Sequence, residues 1–383
     1  PGEENADVMI SLLDSSIEFI LCRHEQAAAF AADAYGRLTG KSGVCLGTLG
    51  PGATNLVTGV ADANMDRAPV VCIIGQASTR RLHKESHQNM DSISMYRPIS
   101  KWAHTIWDAE AIPELVRKAF KIAEAEKPGA TVIEFPEDIA EKEIEGKPMT
   151  ANKTRRPAAD HKAIQMAVDL IAKAESPIIL AGNGAVRKRA ATQLRHLAQN
   201  SGIGVVNTFM GKGAVPRDDE HCLFTMGLQG RDYINVAMDE TDLIITVGYD
   251  LVEYAPEFFN RHADKKIIHI DFLPAEIDHF YNVELDIVSD VADALWQINE
   301  ELNNRFNNAD RLPLFNILER QKLRKAILDD FAMEKNDQSF PMKPQRILWD
   351  TREVLAPEDI LLSDVGAHKM WISRYYQCDQ ANT

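Results

Sequence analysis

Short apolar runs that alternate with longer helical patterns are the feature that most constrains the fold of this 383-residue chain. Residues 70–74, 131–135 and 177–181 have the length and composition of strands that are buried on both faces. Helical patterns such as those at 24–38 and 112–125 lie between such runs. Buried strands that alternate with helices predict an α/β fold, with doubly wound, mostly parallel sheets and helices on both faces.

The same reading predicts further elements. Strands are expected at 17–22, 43–46, 204–207, 243–248, 266–271 and 359–363. Helices are expected at 6–13, from about 53, at 163–174, up to about 304, through 335, and at 344–354.

Two stretches without sustained apolar periodicity predict the domain boundaries. Residues 137–156 are charged and contain a proline, and prolines recur at 341–344. We therefore expect one domain at 1–145, a second, Rossmann-like domain at 158–336, and the start of a third at 341–383. The third segment has one predicted strand, which is too few to close a core alone.

Charge and cysteine content exclude several classes of protein. A formal charge of −15 disfavours binding to nucleic acids or anionic lipids, which attract clustered Lys and Arg. Five cysteines without a C-x-x-C pair predict free thiols rather than a disulfide framework or a zinc site.

No apolar run approaches the ~18 residues needed to span a bilayer, so we expect no membrane segment and a cytoplasmic enzyme.

Two loops predict a binding site at one sheet edge. The apolar run 17–22 leads into Arg23-His24-Glu25-Gln26, so Glu25 is expected at a strand's carboxyl end, where α/β sheets bind ligands. On position alone, Glu25 could equally be an N-terminal helix charge favoured by the helix dipole. The loop Gly50-Pro51-Gly52-Ala53-Thr54-Asn55 contains glycines that let the backbone approach a flat ligand.

A third glycine-rich turn, Gly182-Asn183-Gly184, follows the predicted strand at 177–181. Such turns bind phosphates in dinucleotide-binding folds. Arg187 stands where the third glycine is expected, and no acidic residue ends a clear second strand about twenty residues on. The incomplete pattern favours a structural turn or a vestigial nucleotide fold over a nicotinamide site.

These motifs together carry a resemblance to thiamine-diphosphate-dependent acetolactate synthases. The residues that resemble the pyrimidine-binding domain are 23–28, 35–37, 40–41, 50–55, 75–76, 87–91, 97–98 and 136–138. Those that resemble the FAD-independent, catabolic type are 248–250, 253–254, 268–271, 278–279, 364–368 and 370–371. The resemblance extends over essentially the whole chain.

The resemblance implies the thiamine-diphosphate-binding fold, with pyrimidine-binding, central and diphosphate-binding domains in that order. Against this pattern, the chain is expected to lack the first strand of the first domain and most of the third, and so to be truncated at both ends. No Gly-Asp-Gly with a downstream Asn follows residue 340, although the family uses that motif to hold Mg²⁺. The Mg²⁺ ligands are therefore expected outside residues 1–383, and this stretch alone is expected to be inactive.

The family's site roles transfer to matching residues of this chain. Glu25 would hydrogen-bond the ring nitrogen of the cofactor's aminopyrimidine and so assist removal of the thiazolium C2 proton, a role that fits a carboxyl group with a raised pKa. Gln88 resembles the family glutamine that points at the cofactor-bound intermediates. His87 stands where FAD-containing relatives usually have Phe, and it is also a candidate catalytic residue. A solvated polar loop is the alternative for both residues. The residues expected to contact the cofactor are Gly2, Pro51, Asn55, Gly366, Ala367 and His368.

The implied reaction joins the two-carbon unit of one decarboxylated pyruvate to a second pyruvate, giving 2-acetolactate. The implied cofactors are thiamine diphosphate and Mg²⁺, and the implied assembly is a homodimer or homotetramer. No FAD is expected, because residues 249–253 replace the family's flavin-associated run Arg-Phe-Asp-Asp-Arg.

The sequence leaves other functions open for this protein. Among enzymes, these are a pyruvate oxidase, a sulfoacetaldehyde acetyltransferase or a glyoxylate carboligase. The carboligase type lacks the glutamate, so Glu25 counts against it. A noncatalytic relative or fragment that is kept for assembly belongs to another class.

Overall fold

A computed structural model describes residues 1–152, 154–227, 233–306 and 312–383. The chain divides into two compact units, Pro1–Thr154 and Arg155–Thr383. Each unit contains one parallel sheet with helices packed on it, so the predicted α/β class is confirmed. Within the described ranges, no helix combines the length and the apolar character needed to cross a bilayer.

In the first unit, the described residues form a sheet of four strands in the order β1-β2-β4-β3. Its strands are β1 (Gly43–Gly47), β2 (Val70–Gln76), β3 (Trp102–Thr105) and β4 (Ala130–Pro136). Its helices are α1 (Ala6–Leu12), α2 (Glu25–Thr39), α3 (Pro51–Met65), α4 (Ser92–Tyr96), α5 (Ile112–Glu124) and α6 (Glu137–Ala140).

The two faces of this sheet are covered by different helices. Val70, Cys72 and Ile74 of β2 pack with α2 and α3 in one core cluster, and Val71 packs with α5 in another. Successive residues of a strand point to opposite faces, which accounts for this division. Because both faces are buried, β2 and β4 are nearly continuous apolar runs, as the sequence predicts.

The predicted strand at 17–22 is absent, which corrects the sequence analysis. The segment pairs with no described strand, and Ile17, Ile20 and Leu21 are 64–73% exposed. Apolar composition alone does not make a strand, because the backbone also needs a paired neighbour. The sequence analysis also assigned no helix to α4 and no strand to β3.

The described residues of the second unit form a sheet of six strands in the order β10-β9-β8-β5-β6-β7. Its strands are β5 (Pro177–Ala181), β6 (Gly204–Asn207), β7 (Cys222–Thr225), β8 (Leu243–Val247), β9 (Lys266–Asp271) and β10 (Leu285–Val288). Its helices are α7 (His161–Lys173), α8 (Lys188–Ser201), α9 (Tyr233–Asp239), α10 (Val291–Phe306), α11 (Leu318–Ala332), α12 (Pro344–Val354) and α13 (Ala367–Tyr375).

The predicted strand at 359–363 is also absent, because these residues find no sheet partner among the described strands. The end of α13 is instead held by Lys212, whose Nζ donates to the carbonyls of Ser373 at 2.9 Å and Tyr376 at 2.6 Å. A small core around Leu348 and Tyr376 lies between α12 and the chain segment after α13. The division of the chain into three domains stays a prediction.

All five cysteines are free thiols, as predicted. Cys45, Cys72, Cys222 and Cys378 are buried, and Cys22 is partly exposed. Their burial fits the use of cysteine as a small apolar side chain.

Candidate active site

The candidate site begins where α2 and α3 start, at the carboxyl end of the first sheet. His24 caps α2, since its Nδ1 accepts a hydrogen bond from the Gln26 amide at 3.1 Å, and Glu25 follows as the first residue of the helix. Pro51 is the first residue of α3, where its missing N–H has no intrahelical acceptor to lose. Asn55, one turn into α3, donates from Nδ2 to Glu25 Oε2 at 3.0 Å. The structure therefore brings together two of the predicted residues, Glu25 and Asn55.

The pKa of Glu25 is lowered from its ordinary value. Partial burial alone would raise the pKa. The hydrogen bond from Asn55, the residue's own backbone amide and the nearby charge of His24 lower the pKa by more than burial raises it. The expectation of a raised pKa is therefore wrong for the described chain. The carboxylate is only partly buried, so the loss of hydration is too small to outweigh these contacts.

Space beside Glu25 is kept open by a glycine. Among the described residues, Glu25 Oε1 accepts no hydrogen bond from another residue, while Oε2 is held by Asn55. A Cβ added at Gly52 would lie 3.6 Å from Glu25 Oε1 and 2.7 Å from Thr48 Cγ2. A fixed carboxylate with one open oxygen beside a bare backbone fits a flat heteroaromatic group that offers a ring nitrogen. The aminopyrimidine of thiamine diphosphate is such a group.

Gln88 lies against the loop that precedes α3. Gly50 has a φ of +54°, and a Cβ there would be 2.8 Å from Gln88 Cβ and 2.9 Å from its carbonyl oxygen. Gln88 itself has a φ of 55°, a conformation that non-glycine residues rarely adopt and that is often found at functional sites. Both His87 and Gln88 are exposed. Gln88 is therefore beside the loop that carries Pro51, and its amide is accessible.

A buried polar network holds the segment that carries Gln88. Gln76, at the end of β2, donates from Nε2 to Glu134 Oε1 at 2.8 Å and to the Met90 carbonyl at 3.0 Å. The hydroxyl of Thr105 donates to Glu134 Oε2 at 2.6 Å. Burial raises the pKa of Glu134, although these hydrogen bonds partly oppose the rise. Gln76 thus fixes the backbone two residues after Gln88.

Sequence reasoning missed the role of Glu134 in this network. A detectable signal was present, since Glu134 is the single charged residue in the mostly apolar β4. A buried carboxylate requires hydrogen-bond donors, and these come from the ends of the neighbouring strands.

Gly2 lies at the same edge of the sheet. A Cβ at Gly2 would be 2.5 Å from Thr48 Oγ1, and that hydroxyl donates to Glu4 Oε2 at 3.2 Å. Thr48 also lies next to Gly52, which is beside Glu25 Oε1. Thr48 is therefore located between Gly2 and the part of the site that contains Glu25. Thr48 and Glu4 are contacts that sequence reasoning missed.

The remaining predicted cofactor contacts belong to the second unit. Gly366 precedes α13, Ala367 begins it, and His368 Nε2 lies 2.8 Å from the Asp364 carbonyl oxygen. All three residues are exposed. No group of three or more His, Cys, Asp or Glu side chains that could hold a metal ion occurs among the residues described.

Comparisons with known proteins identify the family of the chain. Residues 1–95 match the N-terminal TPP binding domain of thiamine pyrophosphate enzymes, and residues 164–298 match the central domain of the same enzymes. The chain therefore belongs to the thiamine pyrophosphate enzyme family, as the sequence motifs predicted.

Similar proteins within this family are acetolactate synthases. The chain is 33% identical to an acetolactate synthase of Bacillus subtilis over 381 residues, which are 98% of this chain and 66% of the relative. It is 36% identical to a probable acetolactate synthase large subunit of Methanocaldococcus jannaschii, covering 98% and 65% of the two chains. A catabolic acetolactate synthase of Raoultella terrigena is 33% identical, with coverage of 98% and 66%. The chain spans just under two thirds of the length of these relatives.

Proposed function

We propose that the protein is an acetolactate synthase, which decarboxylates pyruvate and joins the remaining two-carbon unit to a second pyruvate. The observation that carries this proposal is the pair formed by Glu25 and Asn55, with one carboxylate oxygen open beside Gly52. The acetolactate synthases among the relatives support the choice of reaction. A catabolic, FAD-independent type is part of the same proposal.

Each residue of the proposed site would have a different role in the reaction. Glu25 holds or accepts a proton at Oε1, and Asn55 keeps the carboxylate oriented through Oε2. Thiamine diphosphate, when bound, would supply a carbon nucleophile and a ring that takes up the electron pair released by decarboxylation. Gln88 offers an amide that can donate a hydrogen bond to the substrate's oxygen atoms. The bare backbone at Gly52 lets the ring approach Glu25.

The proposed cofactor contacts form two groups, which are described separately for each unit. Gly2, Pro51 and Asn55 would line the side that binds the pyrimidine. Gly366, Ala367 and His368 would contact the diphosphate, where Ala367 begins a nine-residue helix. Mg²⁺ is proposed to accompany the diphosphate, and no residue of this chain is assigned as its ligand.

The reaction can be tested with the complete gene product, pyruvate, thiamine diphosphate and Mg²⁺. We expect 2-acetolactate and carbon dioxide in equal amounts, without phosphate, sulfite or oxygen. Acetyl phosphate formed only with phosphate and oxygen would identify a pyruvate oxidase, and acetyl phosphate formed from sulfoacetaldehyde would identify the acetyltransferase. The absence of cofactor binding by titration calorimetry would indicate a noncatalytic relative.

Replacing Gln88 with alanine should lower kcat/KM for pyruvate by roughly 10–100-fold, the scale expected when one hydrogen bond to a reacting group is lost. The fold should be unaffected, because the side chain is exposed. Replacement of His83, an exposed residue of the same segment, is the matched control and should leave the rate unchanged. Equal rates for the Gln88→Ala variant and the wild type would remove Gln88 from the site. The same comparison for His87→Ala tests whether His87 is a catalytic residue.

We expect the purified complete protein to be colourless and fully active without added FAD. The proposal is supported by residues 249–253, which read Tyr-Asp-Leu-Val-Glu where flavin-containing relatives carry a different run. Absorbance between 350 and 500 nm, compared with the protein concentration, measures bound flavin. Stoichiometric flavin in an active preparation would contradict this part of the proposal.

A homodimer or homotetramer in the cytoplasm completes the proposal. Five free thiols fit a reducing compartment. Exposed apolar side chains at Ile17, Ile20 and Leu21 fit an interface with another copy. The mass of the complete protein in solution, measured by light scattering, decides the number of subunits.

A further inference from the structure

The second sheet has a topological switch point between β5 and β8. From β5 the chain proceeds to β6 and β7 on one side, and it then returns to β8, β9 and β10 on the other side. In doubly wound sheets, ligands bind at the carboxyl ends of the strands at such a switch point. The turn Gly182-Asn183-Gly184 follows β5 at this place. A fold of this type is therefore expected to bind a ligand in the crevice at this point. The proposed reaction does not use this crevice.

Backbone contacts between glycines narrow this crevice. The amide of Gly184 donates to the Gly248 carbonyl at 2.7 Å, and that of Gly182 donates to the Val247 carbonyl at 3.0 Å. A Cβ at Gly184 would lie 2.7 Å from Gly248 Cα, and Gly248 has a φ of +57°. The loops after β5 and β8 are thus in direct backbone contact where a nucleotide would lie in a dinucleotide-binding fold.

The carboxylate of Glu253 lies at the same place and accepts hydrogen bonds from three loops. The Asn183 amide, after β5, lies 2.9 Å from Oε2 and 3.1 Å from Oε1. The Asp250 amide, after β8, donates to Oε1 at 2.8 Å. The hydroxyl of Thr208, after β6, donates to Oε2 at 2.6 Å and accepts a hydrogen bond from the Gly211 amide.

We propose that the switch point is an anion-binding site whose ligand is the chain's own Glu253 carboxylate. Two backbone amides and a hydroxyl from the ends of three adjacent strands form the kind of donor set that binds phosphate or carboxylate in α/β proteins. A phosphate group cannot use these donors while Glu253 holds them. The Glu253 carboxylate also depends on the bare backbone of Gly182, because a Cβ there would lie 2.8 Å from Glu253 Oε1.

The electrostatics of Glu253 agree with an enclosed carboxylate. Burial raises its pKa to about 7, although the hydrogen bonds from Thr208, Asp250 and Asn183 act in the opposite direction. Above that pH the side chain is an anion held by donors, and this is the state in which the site resembles an occupied ligand site.

The test is chemical rescue of a variant that lacks the carboxylate. In the full chain at pH 8, Glu253→Ala leaves several enclosed donors without an acceptor, so we expect the melting temperature to fall by roughly 5–10 °C. Formate should fit the vacated space and restore at least half of this loss, with saturation in the millimolar range. Formamide and sodium chloride at the same concentrations should not restore it.

Glu253→Gln is the matched control, because its amide fills the space and leaves no room for formate. We expect a smaller fall and no response to formate. If Glu253→Ala does not fold, the yield of refolding from urea with formate is compared with that in sodium chloride, and a higher yield with formate is expected. A variant as stable as the wild type, a response to formate equal to that of Glu253→Gln, or an equal refolding yield in both salts would overturn the proposal. None of these outcomes depends on acetolactate formation.

Discussion

Replacing Glu25 with glutamine in the complete protein should lower turnover of pyruvate by on the order of 10²–10⁴-fold, the scale of acid–base assistance by one group. The variant keeps the size of the side chain and its contact with Asn55, since the Gln Oε1 can still accept from Asn55 Nδ2. It loses the ability to hold a proton between carboxylate and ring nitrogen. Steady-state rates, measured at saturating thiamine diphosphate and Mg²⁺, give the comparison.

The matched control is Glu18→Gln, which removes an exposed carboxylate seven residues away. Its rate should equal that of the wild type. Both variants should melt within a few degrees of the wild type, because neither carboxylate is fully buried. A Glu25→Gln variant with turnover within threefold of the wild type would exclude the proposed role.

Replacing Gly43 with alanine should destabilise the first unit by ~3 kcal/mol, the upper part of the range for overpacking. A Cβ at Gly43 would lie 2.0 Å from the Ala32 carbonyl oxygen, which belongs to the backbone of α2 and cannot rotate away. The helix would have to shift, and its first residue is Glu25. Urea unfolding, followed by circular dichroism, measures the change in the free energy of unfolding.

Gly40→Ala is a suitable control for this effect. Gly40 ends α2 with a φ of +68°, and nothing lies within 4 Å of the position of its Cβ. The variant should lose only about 1 kcal/mol, the cost of a left-handed conformation for alanine. If both variants lose the same free energy of unfolding, the contact between β1 and α2 is not as tight as the structure indicates.

The sequence predicted the elements whose own residues determine them. The strand at Pro177–Ala181 and the helix at Pro344–Val354 have the predicted bounds, because burial on both faces and an N-terminal proline leave clear signals. The runs at 17–22 and 359–363 are apolar too, but a strand forms only where another strand pairs with it. That condition depends on distant parts of the chain and is not visible in a local pattern.

The candidate site was predictable only in part for the same reason. Glu25 and the loop from Gly50 to Asn55 are local motifs, and their proximity follows from parallel strands ending at one edge of a sheet. The direction of the Glu25 pKa shift depends on how far the carboxylate is buried, which the sequence does not give. The network of Gln76, Glu134 and Thr105 joins three strands, so it becomes visible only when their order in the sheet is known.

The exchange of the thiazolium C2 proton of bound thiamine diphosphate tests the role of Glu25 most directly. The complete wild-type protein, loaded with cofactor and Mg²⁺, is mixed with D₂O, quenched with acid at set times, and the remaining C2 proton is measured by NMR. Because this step precedes reaction with pyruvate, it isolates the action of Glu25 on the cofactor. We predict rapid exchange in the wild type and in Glu18→Gln, and exchange at least a hundredfold slower in Glu25→Gln. Exchange at the wild-type rate in Glu25→Gln, with cofactor binding confirmed, would contradict the account.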